Sequence, residues 1–167
     1  MAERRTIIDW KTVEYSGLIS VKGLYRLINN RLTDLGYKPF DDFHQEQVFE
    51  DGKQILITIK GEKKLSDYAK IEWKSKLAFL NCQEVIIEKE GQKVKMHKGS
   101  TDVKTLLYLT TDYDKSFEQN PFQYFLRMII DKFVFKSYLE KAATKASKDY
   151  HRLESDIKRF LNLERFD

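Results

Sequence analysis

The chain of 167 residues has one cysteine, two prolines, seven glycines and no apolar run of membrane-spanning length. Each scarcity excludes something. Cys82 has no partner for an intramolecular disulfide, which fits a reducing compartment. So few Gly and Pro leave little room for linkers, and the chain reads as one domain over 1–167, long enough to bury roughly 70% of its unfolded surface. A crossing helix takes about 18 or more consecutive apolar residues. The start, Met1-Ala2-Glu3-Arg4-Arg5, is mixed in charge and leads into a strand-like run rather than a secretory leader. A cytoplasmic protein is expected. Charge of one sign is scarce too: the net value is only +4. Residues 120–167 hold ten Lys/Arg against seven Asp/Glu, so most of the excess lies there.

What is present is apolar and patterned. Hydrophobic residues make up 41% and charged residues 34%, which excludes a disordered chain and implies an ionic surface. Thr6–Tyr15 is β-branched and aromatic and reads as a strand. Ser20 caps a helix carrying Leu24, Leu27, Ile28, Leu32 and Leu35, and Gly36 supplies its left-handed stop. From Phe43 to Tyr113 the period becomes two. Asp51-Gly52 and Glu90-Gly91 turn two hairpins, and Ile55, Ile57 and Ile59 share a face. Ala69, Ile71, Trp73, Leu77 and Phe79 alternate with Lys70, Glu72, Lys74 and Lys76, one face dry and the other wet. Val103, Leu107 and Leu109 mark the last strand. Leu56, Ile86, Leu106 and Tyr108 project the other way and form a patch if they cluster.

Asn120-Pro121 opens one helix that runs almost to the C-terminus, with Asn120 as its cap. Its first half is apolar nearly all round, through Phe122, Tyr124, Phe125, Leu126, Met128, Ile129, Ile130, Phe133, Val134, Phe135 and Tyr138. It reads as the buried anchor. Residues 139–163 form a heptad-patterned extension with a single seam of Leu139, Ala143, Ala146, Tyr150, Leu153, Ile157 and Phe160. That seam either pairs between chains or folds back on the sheet. Two residues on from seam positions lie Lys141, Lys145, Lys148, Arg152 and Arg159, which at about 100° per residue places them opposite it.

The expected fold is α+β: an antiparallel meander of about six or seven strands packed on the long C-terminal helix, in the order β-α-β6-α. This order resembles the helix-grip fold of plant-allergen and lipid-transfer proteins, and element order alone assigns no function. A second resemblance rests on residues. Asp67-Tyr68-Ala69-Lys70, Glu88-Lys89-Glu90-Gly91-Gln92-Lys93-Val94-Lys95, Thr111-Asp112-Tyr113-Asp114 and Pro121-Phe122-Gln123-Tyr124-Phe125-Leu126-Arg127 resemble a group of small uncharacterised archaeal proteins. The likeness covers most of the chain and implies an archaeal, cytoplasmic protein but no activity.

Catalytic signals are weak. His44, His97 and His151 lie on different predicted elements, without metal-ligand partners at helical spacing. A strand would place Asp42, His44 and Glu46 on one face, suited to a cation, although a solvated strand entry after Pro39 is the simpler reading. Asp112 and Asp114 form a second carboxylate pair, in a polar connection that favours a solvated turn. Cys82 has no activating base in view, and no glycine loop fits a phosphate. No cofactor, metal or catalytic set is implied.

The leading expectation is therefore a non-enzymatic binding or scaffolding protein, a homo-oligomer or the companion of a helical partner, using the seam Leu139 to Phe160. One alternative is a carrier of small apolar ligands, its pocket lined by Trp73, Phe79, Phe125 and Ile129. Another binds RNA, the ribosome or another polyanion through Lys141, Lys145, Lys148, Arg152 and Arg159, a row about 27 Å long at 1.5 Å per residue.

Overall fold

The computed structural model describes residues 2–113 and 120–166. It is an α+β fold built on one antiparallel sheet. Strands β1 (Glu3–Ile19), β2 (Lys38–Phe49), β3 (Gly52–Lys64), β4 (Ala69–Lys89) and β5 (Gln92–Thr111) lie in the order β1-β5-β4-β3-β2. Helix α1 (Val21–Asp34) therefore connects one sheet edge to the other. A helical run follows β5: α2 (Pro121–Ile129), a π-helical segment (Ile130–Phe135) and α3 (Lys136–Phe166). Among the described residues no helix is long and apolar enough to cross a membrane.

The sheet has five strands, not six or seven, and the order is β-α-β4-α. The two extra breaks, near residues 80–84 and 98–102, do not exist. At the first, β4 continues through a register shift between Leu80 and Gln83, with Asn81 in the left-handed region at φ 52°. This bulge turns Cys82 into the core, 1% exposed. At the second, Gly99 continues β5 because the bulge needs a residue without a side chain there. A Cβ on Gly99 would lie 2.7 Å from the Leu80 carbonyl oxygen and 2.8 Å from Cys82 Sγ. The second turn falls where the sequence places it, and the first lies one residue earlier, at Glu50-Asp51, with Gly52 already in β3. Phe49 pairs with Gly52, and Lys89 with Gln92 around Glu90 and Gly91, both at positive φ.

Alternation decides the core. Ile55, Ile57 and Ile59, with Ile71, Trp73, Leu77 and Phe79, and with Val103, Leu107 and Leu109, are buried on one face. Lys60, Lys74 and Leu106 form one cross-strand row of the opposite face, and Glu62, Glu72 and Tyr108 the next. Lys70 ties those acids together, 2.9 Å from Glu62 and 3.4 Å from Glu72, and the Arg4 guanidinium lies 4.9 Å from the centre of the Tyr108 ring. Leu56 and Ile86 fall in other rows, opposite Ala78 and Lys95, so the four outward apolar residues do not gather into one patch.

α1 starts as expected: Ser20 Oγ accepts from the Gly23 N–H at 3.1 Å, and Gly36 stops the helix at φ 88°. Its Leu24, Ile28 and Leu32 enter the core beside α3. Arg31 meets Asp156 at 2.5 Å, and Phe160 sits so close that a Cβ on Gly23 would be 2.9 Å from its ring. Asn120 stands just outside α2, its carbonyl accepting from Tyr124 N–H at 3.0 Å.

The two halves of the long helix exchange their expected roles. Ala146, Tyr150, Leu153, Ile157 and Leu161 are buried in the common core with Trp73, whose ring centre lies 6.1 Å from that of Tyr150, and Ala143 is buried as well. Leu139 and Phe160 are partly buried against it. The supposed anchor is open: Phe122, Tyr124, Phe125, Leu126, Met128, Ile129, Phe133 and Tyr138 are all exposed, Phe133 by 74%. Between them lies the π segment, whose i→i+5 bonding shifts the rotational phase of all that follows. Phe135 and Tyr138 begin the contact with the body: Phe135 packs near Tyr68, and Tyr138 Oη donates to the Leu65 carbonyl at 3.3 Å.

Candidate functional site

The most chemically furnished surface is a cleft of about 610 Å³ beside the start of α1. It forms because the hairpins differ in reach. Pairing between β3 and β4 ends at Lys53 and Cys82, whereas β4 and β5 remain paired out to Lys89 and Gln92. The overhang carries Glu84, Lys95 and His97. Facing it are Ser20, Val21, Lys22 and Tyr25 from α1, and Asp41, His44 and Glu46 from β2. Lys53, Ile55 and Ile57 from β3 complete the lining.

The charges in this cleft satisfy one another. Lys53 Nζ lies 2.8 Å from Glu84 and 3.1 Å from Glu46, and Lys95 lies 2.8 Å from the other Glu84 oxygen. These two lysines, Lys53 first, hold the Glu84 carboxyl down at about 2. Both Asp41 oxygens accept from Tyr25 Oη, at 2.7 and 2.8 Å, which raises the phenol above its ordinary value. His97 is cross-strand to Glu84 with Nε2 4.0 Å away. Burial lowers its pKa, opposed by the Glu84 charge, so the ring is neutral near pH 7.

Sequence spacing missed that His44 and His97 line one cleft, because this depends on which strand ends project beyond which. It also misassigned one neighbour. A register shift between Asp41 and Phe43 splits the expected Asp42–His44–Glu46 face. Asp41 joins the two others in the cleft, while Asp42 pairs with Lys60 at 2.7 Å. Among the described residues no group of three or more His, Cys, Asp or Glu is arranged to hold a metal. His151 lies elsewhere, exposed and 3.4 Å from Glu154.

The other candidates separate in space. Trp73 and Phe79 are sealed in the core, whereas Phe125 and Ile129 stand on the exposed helix, so the four do not line one pocket. The seam from Leu139 to Phe160 is occupied by the chain's own sheet and α1. Asp112 is buried, not solvated, and its N–H donates to the Tyr68 carbonyl at 2.7 Å; Asp114 lies outside the described residues. Burial pushes the Cys82 thiol up, away from the reactive thiolate.

Lys141, Lys145, Lys148, Arg152 and Arg159 are all exposed on the outer face of α3, and none makes an ion pair with a described residue. Asp149 is buried rather than paired with Lys145, while Glu154 does pair with Lys158 at 3.2 Å. Lys132, Lys136, Lys141, Lys145 and Lys148 line one shallow groove with Phe133. Glu140, which also lines that groove, is drawn aside by Arg5 at 2.6 Å.

No protein-family model and no curated protein matches the chain. A solved structure of an uncharacterised protein from Rhizobium leguminosarum is similar over 95% of this chain and 99% of its own, at 9% identity and a TM-score of 0.19. A likeness at that level carries no argument about fold or function.

Proposed function

We propose that this is a non-enzymatic binding protein of the cytoplasm that associates with a second copy of itself through residues 121–138 of its C-terminal helix. One observation carries the reading: among the described residues, eight large apolar side chains are exposed along that stretch. With about 150–250 Å² for each aromatic side chain, they leave about 800 Å² open, the share one partner gives to a standard interface. This exceeds the largest apolar patch of a typical monomer, about 300–600 Å². The residues also surround the helix. A flat surface would cover one side only, whereas a second copy can enclose it, and a two-fold arrangement presents the same patch from both chains. Light scattering at rising concentration tests this. The parent is expected to be dimeric, and Phe125→Asp with Phe133→Asp monomeric, with the far-ultraviolet circular dichroism of the sheet unchanged. A parent that stays monomeric at high concentration overturns it, and a complex only with another helical protein replaces the partner.

A second reading, binding of RNA or another polyanion, is supported by the cations of the outer face of α3, which make no ion pair with a described residue. Charge reversal at Lys145, Lys148 and Arg152 should abolish RNA binding and leave the dimer intact, while the parent's affinity falls steeply with salt. No RNA binding by the parent at low salt overturns that reading. The resemblance to archaeal proteins adds no activity to either.

A further inference from the structure

We propose that the cleft between α1, β2 and the overhanging β4–β5 hairpin binds a small organic anion, of the class of monocarboxylates with a short apolar body. Two properties of the lining select that class. The first is which groups are already engaged. Asp41 is held by Tyr25, Glu46 by Lys53, and Glu84 by Lys53 and Lys95. Every acid lining the cleft is thus bonded to a donor of the same wall. Outside these pairs, and besides the Ser20 hydroxyl that caps α1, stand the Lys22 ammonium and the imidazoles of His44 and His97, the last 4.0 Å from Glu84, all of which can donate. α1 begins at the same wall and adds the partial positive charge of its N-terminus. A cationic ligand would have to break existing pairs, whereas an anion meets open donors. The second property is the floor. Ile55 and Ile57 line the cleft and are 5% and 4% exposed, with Val21 beside them. A bare inorganic anion would leave this floor unused. The volume suits a small molecule, since such sites run at about 300–1,000 Å³.

His97 supplies the readout. Its ring faces Glu84, Lys53, Lys95 and Glu46 from the strands, and burial holds it neutral near pH 7. Lys22, Tyr25 and Asp41 face it across the cleft from α1 and β2. An anion seated among the donors favours imidazolium and therefore raises the midpoint of His97.

The test uses the full chain, with the histidine ring resonances followed by NMR against sodium hexanoate, 1-hexanol and sodium phosphate. Hexanoate should shift the His44 and His97 signals saturably and raise the His97 midpoint. Hexanol and phosphate should each bind at least about tenfold more weakly, a difference of about 1.4 kcal/mol. Lys22→Glu, on the exposed side of α1, should weaken hexanoate by a similar factor while the amide spectrum of the sheet stays in place. Rings that do not respond to hexanoate overturn the proposal. Hexanol binding as well as hexanoate overturns the anion, and phosphate binding as well as hexanoate overturns the apolar body.

Discussion

Residues 121–138 and 139–161 belong to one helical run and share a chain direction, yet they solve opposite problems. The first is crowded with Phe, Tyr, Leu, Ile and Met and leaves eight of them in water. The second has one apolar residue every third or fourth position, two of them alanine, and buries nearly the whole row. Periodicity, not content, decides which part a small sheet can hold. A stripe about 100° wide can be satisfied by one surface, whereas an apolar circumference needs a surrounding partner. Ala143 and Ala146 also let α3 approach the sheet closely, and Tyr150, Leu153 and Ile157 then fill the remaining depth.

That contrast can be broken by matched substitutions. Leu153→Asp places an unpaired charge where the side chain is 1% exposed and should cost about 4 kcal/mol or more in a denaturant titration. Phe133→Asp, on the same helical run but open to water, should stay within about 0.5 kcal/mol when both proteins are diluted until the parent is monomeric. Equal losses would mean that both stretches are held by the body. Next in size, Leu77→Ala removes a buried side chain of the face that receives α3 and should cost about 2–5 kcal/mol. Its neighbour Lys76 reaches the Trp10 ring at 5.0 Å on the wet face, so Lys76→Ala should cost about 0.5–1 kcal/mol. Also smaller than the Leu77 loss, Ser20→Ala removes the side-chain bond to the Gly23 N–H and should cost about 1 kcal/mol.

The smallest effect sharpens the comparison from outside the helix. Glu84 has its carboxyl lowered from 4.5 to about 2, chiefly by Lys53 and then by Lys95. A lowered carboxyl contributes stability above its unfolded value, and this is lost as pH falls from about 4.5 toward 2. Glu84→Gln should therefore flatten the acid limb of a pH-stability curve in that window, and leave stability at neutral pH little changed because the group is open to solvent. The same limb in both proteins would remove Glu84 as a contributor.

Local features were legible in the sequence. The Ser20 cap, the Gly36 stop, both hairpin turns and the buried parity of β3, β4 and β5 follow from residues within a few positions of each other. Features set by distant residues were not. The break expected between Phe79 and Val85 is one: only Gly99 on the neighbouring strand makes room for the bulge that Asn81 forms there at positive φ. The π segment Ile130–Phe135 carries no signal of its own in an apolar run that reads as continuous helix. His44 and His97 line one cleft only because one hairpin overhangs another, and no spacing within either strand encodes that overhang.

The position of β1 has a consequence for the order of assembly. Its one neighbour in the sheet is β5, with Glu3 opposite Thr111 and Ile19 opposite His97. The first strand to leave a ribosome must therefore wait for the last strand of the sheet, roughly 5–20 seconds at about 5–20 residues per second. Meanwhile β2 to β5 can pair hairpin by hairpin through short loops, and each pairing closes little chain. Joining β1 to β5 closes the largest loop in the sheet and is the step that contact order makes slow. Until then Val13 and Ile19, both core residues in the finished fold, have no sheet to cover them. The edge that is made first is thus the one completed last, and the chain's exposure to aggregation during synthesis is set by that interval.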